Sequence, residues 1–208
     1  MPLSIVFTGM LSGLALIVAI GAQNAYVLRT GLSAKRSVVL AVSLVCALSD
    51  TVLIVAGVAG IGFLSSAAPW VLTLLRVAAL LFLLVYGALS LRRALGPGGG
   101  LEAQSAAAPG VGAALATVLA FTWLNPHVYL DTVLFLGSLA GNYGENRWFF
   151  ALGACVASWA WFFALGLGAR KLRPLFAKAW TWRVLDGAIA LIMLVLAIKL
   201  VVELFWGA

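Results

Sequence analysis

The stretch at residues 112–138, GAALATVLAFTWLNPHVYLDTVLFLGS, is apolar enough for a membrane helix, yet it contains Asn125-Pro126 and Asp131. Pro126 lacks a backbone N–H, and its ring clashes with the carbonyl of Thr122, so a continuous helix must kink or break there. Asn is a favoured helix N-cap and Pro a favoured first helical residue. We therefore predict that a half-helix begins at this point inside the membrane. The alternative is an ordinary proline kink, in which neighbouring groups form hydrogen bonds with the backbone groups that the proline frees.

The composition of the whole chain is that of a membrane protein. Apolar residues make up 64% of 208, charged residues only 9%, and the mean hydropathy is +1.15. Soluble domains carry about 25% charged residues, so a water-soluble fold is excluded. No phosphate-binding loop G-x-x-x-x-G-K-[ST] is present, which argues against ATP-driven chemistry within this chain. One histidine and two separated cysteines do not make a metal-ligand set, and we predict no cofactor.

Six apolar stretches predict an all-α integral membrane protein, because a spanning helix takes about 20 residues. Three connections, after the first, third and fifth stretches, hold ten of the 13 basic residues. The positive-inside rule then places these connections in the cytoplasm and both termini outside it, so the net charge of +7 indicates topology rather than nucleic-acid binding. The predicted spans are 4–27, 37–62, 68–91, 112–138, 148–169 and 184–205.

The two halves of the chain share an order of weak motifs. Residues 23–28 resemble 124–130, residues 46–50 resemble 155–159, and Arg76-Val77 opens the third span as Arg183-Val184 opens the sixth. A repeat of three spans inverts its second copy, and inverted repeats with broken helices at the midplane are typical of secondary transporters. Chance similarity between Leu/Ala/Val-rich helices is the alternative.

This repeat divides the chain into three parts. Residues 1–95 form the first three-helix repeat, residues 112–208 form the second, and the Gly/Ala-rich residues 96–111 form a flexible cytoplasmic linker. The predicted breaks lie near residues 21–24 in the first repeat and at Asn125 and Pro126 in the second. Substrate is then expected near the midplane, where the two breaks meet.

Two acids lie well inside predicted spans, Asp50 in the second and Asp131 in the fourth. A carboxylate at the bilayer centre costs about 2.5–3.5 kcal/mol even on lenient insertion scales, and such acids usually line a transport pathway. Asp131 follows Pro126 by about a turn and a half, where it is placed to meet a cationic group. A structural role, such as an ion pair of Asp50 with Arg76, is the alternative.

The motif Gly21-Ala22-Gln23-Asn24 is the first-half counterpart of Asn125-Pro126. Glycine allows the backbone to unwind, and the two amide side chains offer donors and acceptors to backbone or substrate. A half-helix that starts inside the membrane points N–H groups and a positive dipole end at its surroundings, where they can hold a substrate carboxylate. His127 is predicted to be a hydrogen-bonding core residue, and the G-x-x-x-G motif of Gly9 and Gly13 to be a packing surface.

Three segments of the chain, residues 21–29, 46–50 and 123–132, resemble the LysE-type exporters of lysine and arginine. The related RhtB-type exporters of homoserine and threonine, in the same superfamily, typically have Pro-Gly-Pro before the Asn, where Gly21-Ala22-Gln23 stands here. The resemblance covers nearly the whole chain and implies proton-driven export of L-lysine or L-arginine across the bacterial inner membrane, with transport roles for Asp50 and Asp131. The segments that carry it are Gly21-Ala22-Gln23-Asn24-Ala25-Tyr26-Val27-Leu28-Arg29, residues 46–50, and Trp123-Leu124-Asn125-Pro126-His127-Val128-Tyr129-Leu130-Asp131-Thr132.

We predict alternating access between the two halves, with antiport of protons. The acids bind the cationic groups of the substrate, or protons when it is absent, and the breaks receive its carboxylate. Lysine, arginine, protons and the lipid bilayer are the predicted partners, and assembly as a homo-oligomer is left open. The candidate transport residues are Gly21, Gln23, Asn24, Asp50, Asn125, Pro126, Tyr129 and Asp131.

Two other functions fit parts of the pattern. An exporter of neutral amino acids or small metabolites would share the fold, but a neutral substrate needs fewer buried acids. An intramembrane aspartyl protease would use Asp50 and Asp131 as its dyad, but no Gly-x-Gly precedes Asp50, so we predict that the chain is not an enzyme.

The orientation gives the first testable prediction. Single cysteines placed in the loops at residues 29–36 and 170–178, on a background without Cys46 and Cys155, should resist an impermeant thiol reagent added to intact cells. Labelling should follow once the cells are permeabilised. Ready labelling of either loop in intact cells would overturn the orientation.

Overall fold

The computed structural model describes residues 2–18, 21–60, 69–96, 110–125 and 128–206. All regular structure within these ranges is helical, which confirms the all-α class. A π-helix, Tyr129–Phe135, precedes α6, and two 3₁₀ segments, Gly144–Asn146 and Ala169–Ala177, flank α7. The α-helices are α1 (Pro2–Ile17), α2 (Ala22–Ser33), α3 (Arg36–Val58), α4 (Pro69–Leu95), α5 (Val111–Trp123), α6 (Leu136–Gly141), α7 (Arg147–Gly168) and α8 (Ala179–Trp206).

Three helical stretches of the described ranges are long and apolar enough to cross a membrane, namely Arg36–Val58, Gly144–Leu172 and Trp180–Ile198. The pair α1 and α2, bent by 81° at the break between them, makes a fourth if both pieces belong to one span. The chain is therefore a multi-pass membrane protein. The number of six spans stays a prediction, because the predicted span 112–138 is divided into short apolar helices.

Helices end close to both predicted interruptions, but residues 22–24, which were predicted to belong to the first break, form the first turn of α2. α1 ends at Ile17, and α2 begins at Ala22 after Gly21, whose backbone is extended with φ −123° and ψ 175°. α5 ends at Trp123, and helical structure is present again from Val128. Pro126 and His127, to which the sequence assigned the start of the second half-helix and a core hydrogen bond, lie outside the described residues, as do residues 97–109 of the predicted linker.

The helices of the two sequence halves pack mainly on each other rather than within each half. α1 lies along α7, α3 lies against α5 and α7, and α4 lies along α8. The pairs Gly9 with Phe150 and Gly13 with Ala154 show that α1 and α7 run parallel. α3 and α7 run antiparallel, because Ser43 contacts Phe162 whereas the later Asp50 contacts the earlier Ser158.

Glycine permits the close contact between α1 and α7. A Cβ added to Gly9 would collide with the backbone carbonyl of Phe150, and a Cβ at Gly13 would lie 3.1 Å from the Cα of Ala154. On the other side of the contact, Gly153 faces the backbone of Val6 and Met10. The Gly9–Gly13 motif is thus a packing surface, as predicted, and it brings two backbones together where lipid supplies no hydrophobic driving force.

We expect Gly9→Ala to destabilise the protein by about 1–3 kcal/mol, the usual cost of overpacking a close contact. Thermal unfolding of the purified protein in detergent would measure the change. Gly187→Ala is the matched control, because an added Cβ there meets no heavy atom within 4 Å. Equal melting temperatures for the Gly9 variant and the parent would contradict the packing role.

Candidate functional site

A cavity of about 270 Å³ lies where the two helix breaks meet α3, just below the ~300–1,000 Å³ typical of small-molecule sites. Six of the seven predicted transport residues that the structure describes line it, and Tyr129 is not among its lining residues. The predicted site residues of both sequence halves therefore share one cavity. Its lining residues are Leu16, Ile17, Gly21, Ala22, Gln23, Asn24, Asp50, Asn125, Val128, Asp131, Thr132, Leu136, Phe162 and Leu196.

The first turn of α2 faces this cavity. Its N-cap, Gly21, has no side chain to cap the turn, and the first helical hydrogen bond runs from the Ala25 N–H to the Gly21 carbonyl at 3.1 Å. The N–H groups of Ala22 and Gln23 precede that bond and have no acceptor within the helix. The positive end of the α2 dipole is thus directed at the cavity, an arrangement that favours an anionic group.

Asn24 bridges the break between α1 and α2. Its Nδ2 donates to the carbonyl of Ile17 at 2.6 Å, and its Oδ1 accepts from Nε1 of Trp161 on α7 at 3.1 Å. The Ile17 carbonyl belongs to the last turn of α1, which has no further helical N–H to pair with. The Asn24 amide therefore stabilises the break itself as well as lining the cavity.

Gln23 is the amide left for a ligand. Its Nε2 is buried and makes no well-aligned hydrogen bond among the described residues, although the Cys46 thiol lies beside the Gln23 amide. A buried donor without an acceptor costs about 1–3 kcal/mol, and a ligand oxygen would remove that cost. Gln23 thus offers a hydrogen bond to a molecule in the cavity.

Asp50 lies on the α3 wall of the cavity and is only 3% exposed. Its Oδ2 accepts a hydrogen bond from the Ser158 hydroxyl of α7 at 2.8 Å. Residues 46–50 and 155–159, paired by the internal repeat, therefore contact each other. The alternative ion pair with Arg76 involves a side chain outside the described residues.

Asp131 lies in the π-helix Tyr129–Phe135, which follows the second break in the chain. The backbone approaches α3 closely here, because a Cβ at Gly57 would lie 2.7 Å from the carbonyl oxygens of both Thr132 and Val133. π-helical turns are rare and occur often at functional sites. The wider turn places Asp131 and Thr132 on the same cavity as Asp50.

Tyr129 closes the second break rather than lining the cavity. Its hydroxyl donates to the carbonyl of Trp123, the last residue of α5, at 2.7 Å. The Trp123 indole in turn donates to Oγ of Ser49 on α3 at 3.1 Å. The described contacts of Tyr129 thus support the interrupted backbone, and its predicted contact with substrate stays a prediction.

A third intramembrane acid, Asp186 on α8, was not predicted from the sequence. It is fully buried and forms ion pairs with Arg29 of α2 and, at 3.2 Å, with Arg93 of α4. Asp186 lies only two residues inside the predicted span 184–205 and three residues after Arg183, so its position in the sequence does not mark it as an acid buried in the membrane. Its helical spacing from Arg183 does not point to partners on α2 and α4, so only the packing of these helices identifies them.

The described residues contain no group of three or more His, Cys, Asp or Glu side chains that could hold a metal ion. The polar groups of the cavity are two carboxylates, amide side chains and an uncapped helix end. Together they can bind a small molecule that carries both positive and negative charge.

A family model described as LysE type translocator matches residues 14–204. The arginine exporter protein ArgO of Enterobacter sp. (strain 638) is 41% identical over 202 residues, which cover 97% of this chain and 95% of the relative. The ArgO of Salmonella schwarzengrund is 40% identical over the same shares. A protein of Mycobacterium tuberculosis H37Rv, Rv0488, provisionally named an amino-acid transporter, is 41% identical over 91% of this chain and 92% of its own. No solved structure matches the chain.

The Asn24 bridge yields a prediction. Asn24→Ala should lower stability by about 1–3 kcal/mol, because it leaves the Ile17 carbonyl and the Trp161 indole unpaired. A double-mutant cycle with Trp161→Phe, read by thermal unfolding in detergent, measures the coupling between the two side chains. Additive effects of the two substitutions would show that the Asn24–Trp161 hydrogen bond does not support the break.

Proposed function

This chain belongs to the LysE-type translocator family, and we propose that it exports arginine, with lysine as a second substrate, across the bacterial inner membrane. Family membership makes the chain a transporter and not an enzyme, which removes the intramembrane protease alternative. The arginine proposal rests on the ArgO relatives, which align with 97% of the chain.

The observation that carries the proposal is that two acids and an uncapped helix N-terminus share one cavity. Arginine has a carboxylate at one end and cationic groups at its α-carbon and at the tip of its side chain. Asp50 and Asp131 match the cations, and the first turn of α2 with Gln23 matches the carboxylate. A neutral amino acid has only one cationic group and can neutralise only one of the two acids.

Coupling to protons follows from competition for the acids. A carboxylate in the cavity is neutralised either by a proton or by a cationic substrate group, so protons entering from outside displace the substrate that leaves. The membrane potential opposes the exit of each positive charge by about 2.3 kcal/mol per 100 mV. Proton entry therefore drives net export of a cation most strongly when more than one charge enters per cycle.

Alternating access between two inverted three-helix repeats, 1–95 and 112–208, is the proposed mechanism, with six spans and both termini outside the cytoplasm. The parallel run of α1 and α7 and the antiparallel run of α3 and α7 are those of a chain that crosses the bilayer alternately. One break lies in the first span of each proposed repeat, and a midplane site between inverted repeats is typically formed by such broken helices.

Counterflow of labelled arginine, lysine and threonine into proteoliposomes tests the function. We expect uptake of arginine and lysine and little uptake of threonine. Asp50→Asn and Asp131→Asn should each lower arginine counterflow at least ~tenfold, because loss of a charge-assisted hydrogen bond costs about 1.5–3 kcal/mol.

Asn keeps the size of the acid and its hydrogen-bonding capacity, so these variants separate charge from packing. Glu145→Gln, at an exposed acid of the 3₁₀ segment Gly144–Asn146, is the matched control and should transport normally. Full arginine counterflow in both Asn variants would contradict cation binding by the two acids. Preference for threonine would contradict the proposal that the substrates are basic amino acids.

A further inference from the structure

Asp186 joins three helices through two guanidinium groups. Arg29 comes from α2 and Arg93 from α4, and the Nε of Arg93 lies 3.2 Å from Oδ1 of the buried carboxylate. Arg93 is itself positioned by Ser90, whose Oγ accepts a hydrogen bond at 2.6 Å, and by the Tyr86 ring 5.6 Å away. A carboxylate, two arginines and their supporting side chains thus form one connected cluster.

This cluster lies beyond the cavity, on the side of the basic 3₁₀ segment Ala169–Ala177. Arg29 follows the cavity residue Asn24 by five residues, or about 7.5 Å along α2. Asp186 precedes the cavity residue Leu196 by ten residues, or about 15 Å along α8. Both displacements lead away from the cavity. They point toward the C-terminal end of α2 and the N-terminal end of α8, which adjoin the loops at residues 29–36 and 170–178, here called the basic loops.

The cluster also joins two parts of the fold whose other contacts are largely apolar, such as the Tyr86 ring of α4 against Phe121 of α5. α4 packs chiefly along α8, and α8 meets the rest of the described chain mainly at α2 and at the segment Ala169–Ala177. The Arg29–Asp186 ion pair crosses this junction, whereas Arg93–Asp186 lies within the α4–α8 pair. Breaking the first pair removes the ionic contact between α2 and the α4–α8 pair and leaves apolar contacts, such as Tyr26 with Tyr86, along which the pair can shift.

We propose that Arg29, Asp186 and Arg93 form an ion-pair gate that closes the cavity on the side of the basic loops, an inference that rests on the proposed transport function. In the closed state, two guanidinium groups face one carboxylate, and the excess positive charge repels a cationic substrate. When α4 and α8 move away, Arg93 remains as the partner of Asp186, so no buried charge is orphaned.

The arrangement gives the gate two states that differ in contacts, as a conformational switch requires. Asp186 keeps one cationic partner in both states, and Arg29 at 17% side-chain exposure is placed to reach water once released. The Oδ2 of Asp186 has no hydrogen-bond partner among the described residues, which lowers the cost of opening the cluster. Asp186 is thus a positioning residue that acts on access to the cavity rather than on the bound substrate.

Thiol labelling of the cavity tests the gate without any transport measurement. Thr132→Cys, in a background with Cys46→Ala and Cys155→Ala, supplies a reporter that lines the cavity. An impermeant maleimide is added to inside-out or right-side-out vesicles, so that each face is tested in turn. We expect Asp186→Asn and Arg29→Gln to raise labelling from the basic-loop face at least ~fivefold, the lower end of ordinary coupling between sites.

Arg92→Gln is the matched control, because Arg92 is exposed and adjacent to Arg93. Unchanged labelling in Asp186→Asn and Arg29→Gln, or an increase only from the opposite face, overturns the gate. If Asp186→Asn is lost from the membrane, Arg29→Gln decides alone, since Asp186 keeps Arg93 as its partner. Faster labelling in a protein that does not transport arginine would support the gate and contradict the proposed substrate.

Discussion

An interrupted helix inside hydrocarbon must find partners for backbone groups that water cannot reach, and this requirement organises the molecule. At the first break, Asn24 pairs with the Ile17 carbonyl and is held by Trp161. At the second, Tyr129 pairs with the Trp123 carbonyl, and the Trp123 indole is held by Ser49. Each break is thus supported by a nearby side chain and by an indole hydrogen bond to another helix. Because carbonyls are the groups satisfied in this way, the N–H end of α2 stays available to the cavity.

Residue types and spacing were sufficient to predict the breaks and most of the cavity. Asn125-Pro126 and Gly21 are local signals, since Pro and Gly act on their own backbone wherever they stand. An acid in an apolar span is equally conspicuous, which is why Asp50 and Asp131 were found. The proposed internal repeat was the further clue that Gly21, Asn125 and the two acids share one cavity.

Other features depend on packing between distant segments and leave little trace in a sequence. Ser158 gives no sign that it donates to Asp50, and Tyr129 gives no sign that its hydroxyl turns toward Trp123 instead of the cavity. Asp186 lies near a span end, three residues after Arg183, yet it is fully buried between α2, α4 and α8. The π-helix around Asp131 likewise has no recognisable pattern in the sequence, although it comes directly after the second break in the chain.

The parallel contact of α1 with α7 has a consequence for biosynthesis. Gly9 and Phe150 are separated by more than 140 residues, so α1 leaves the ribosome well before its partner exists. At ~5–20 residues per second, the interval is about 7–30 seconds. During that time the glycine surface of α1 faces lipid or a temporary neighbour, such as an insertase or another nascent helix. Helix α1 therefore reaches its final place only after α7 has been made, and this part of the bundle closes when an earlier segment docks onto a much later one.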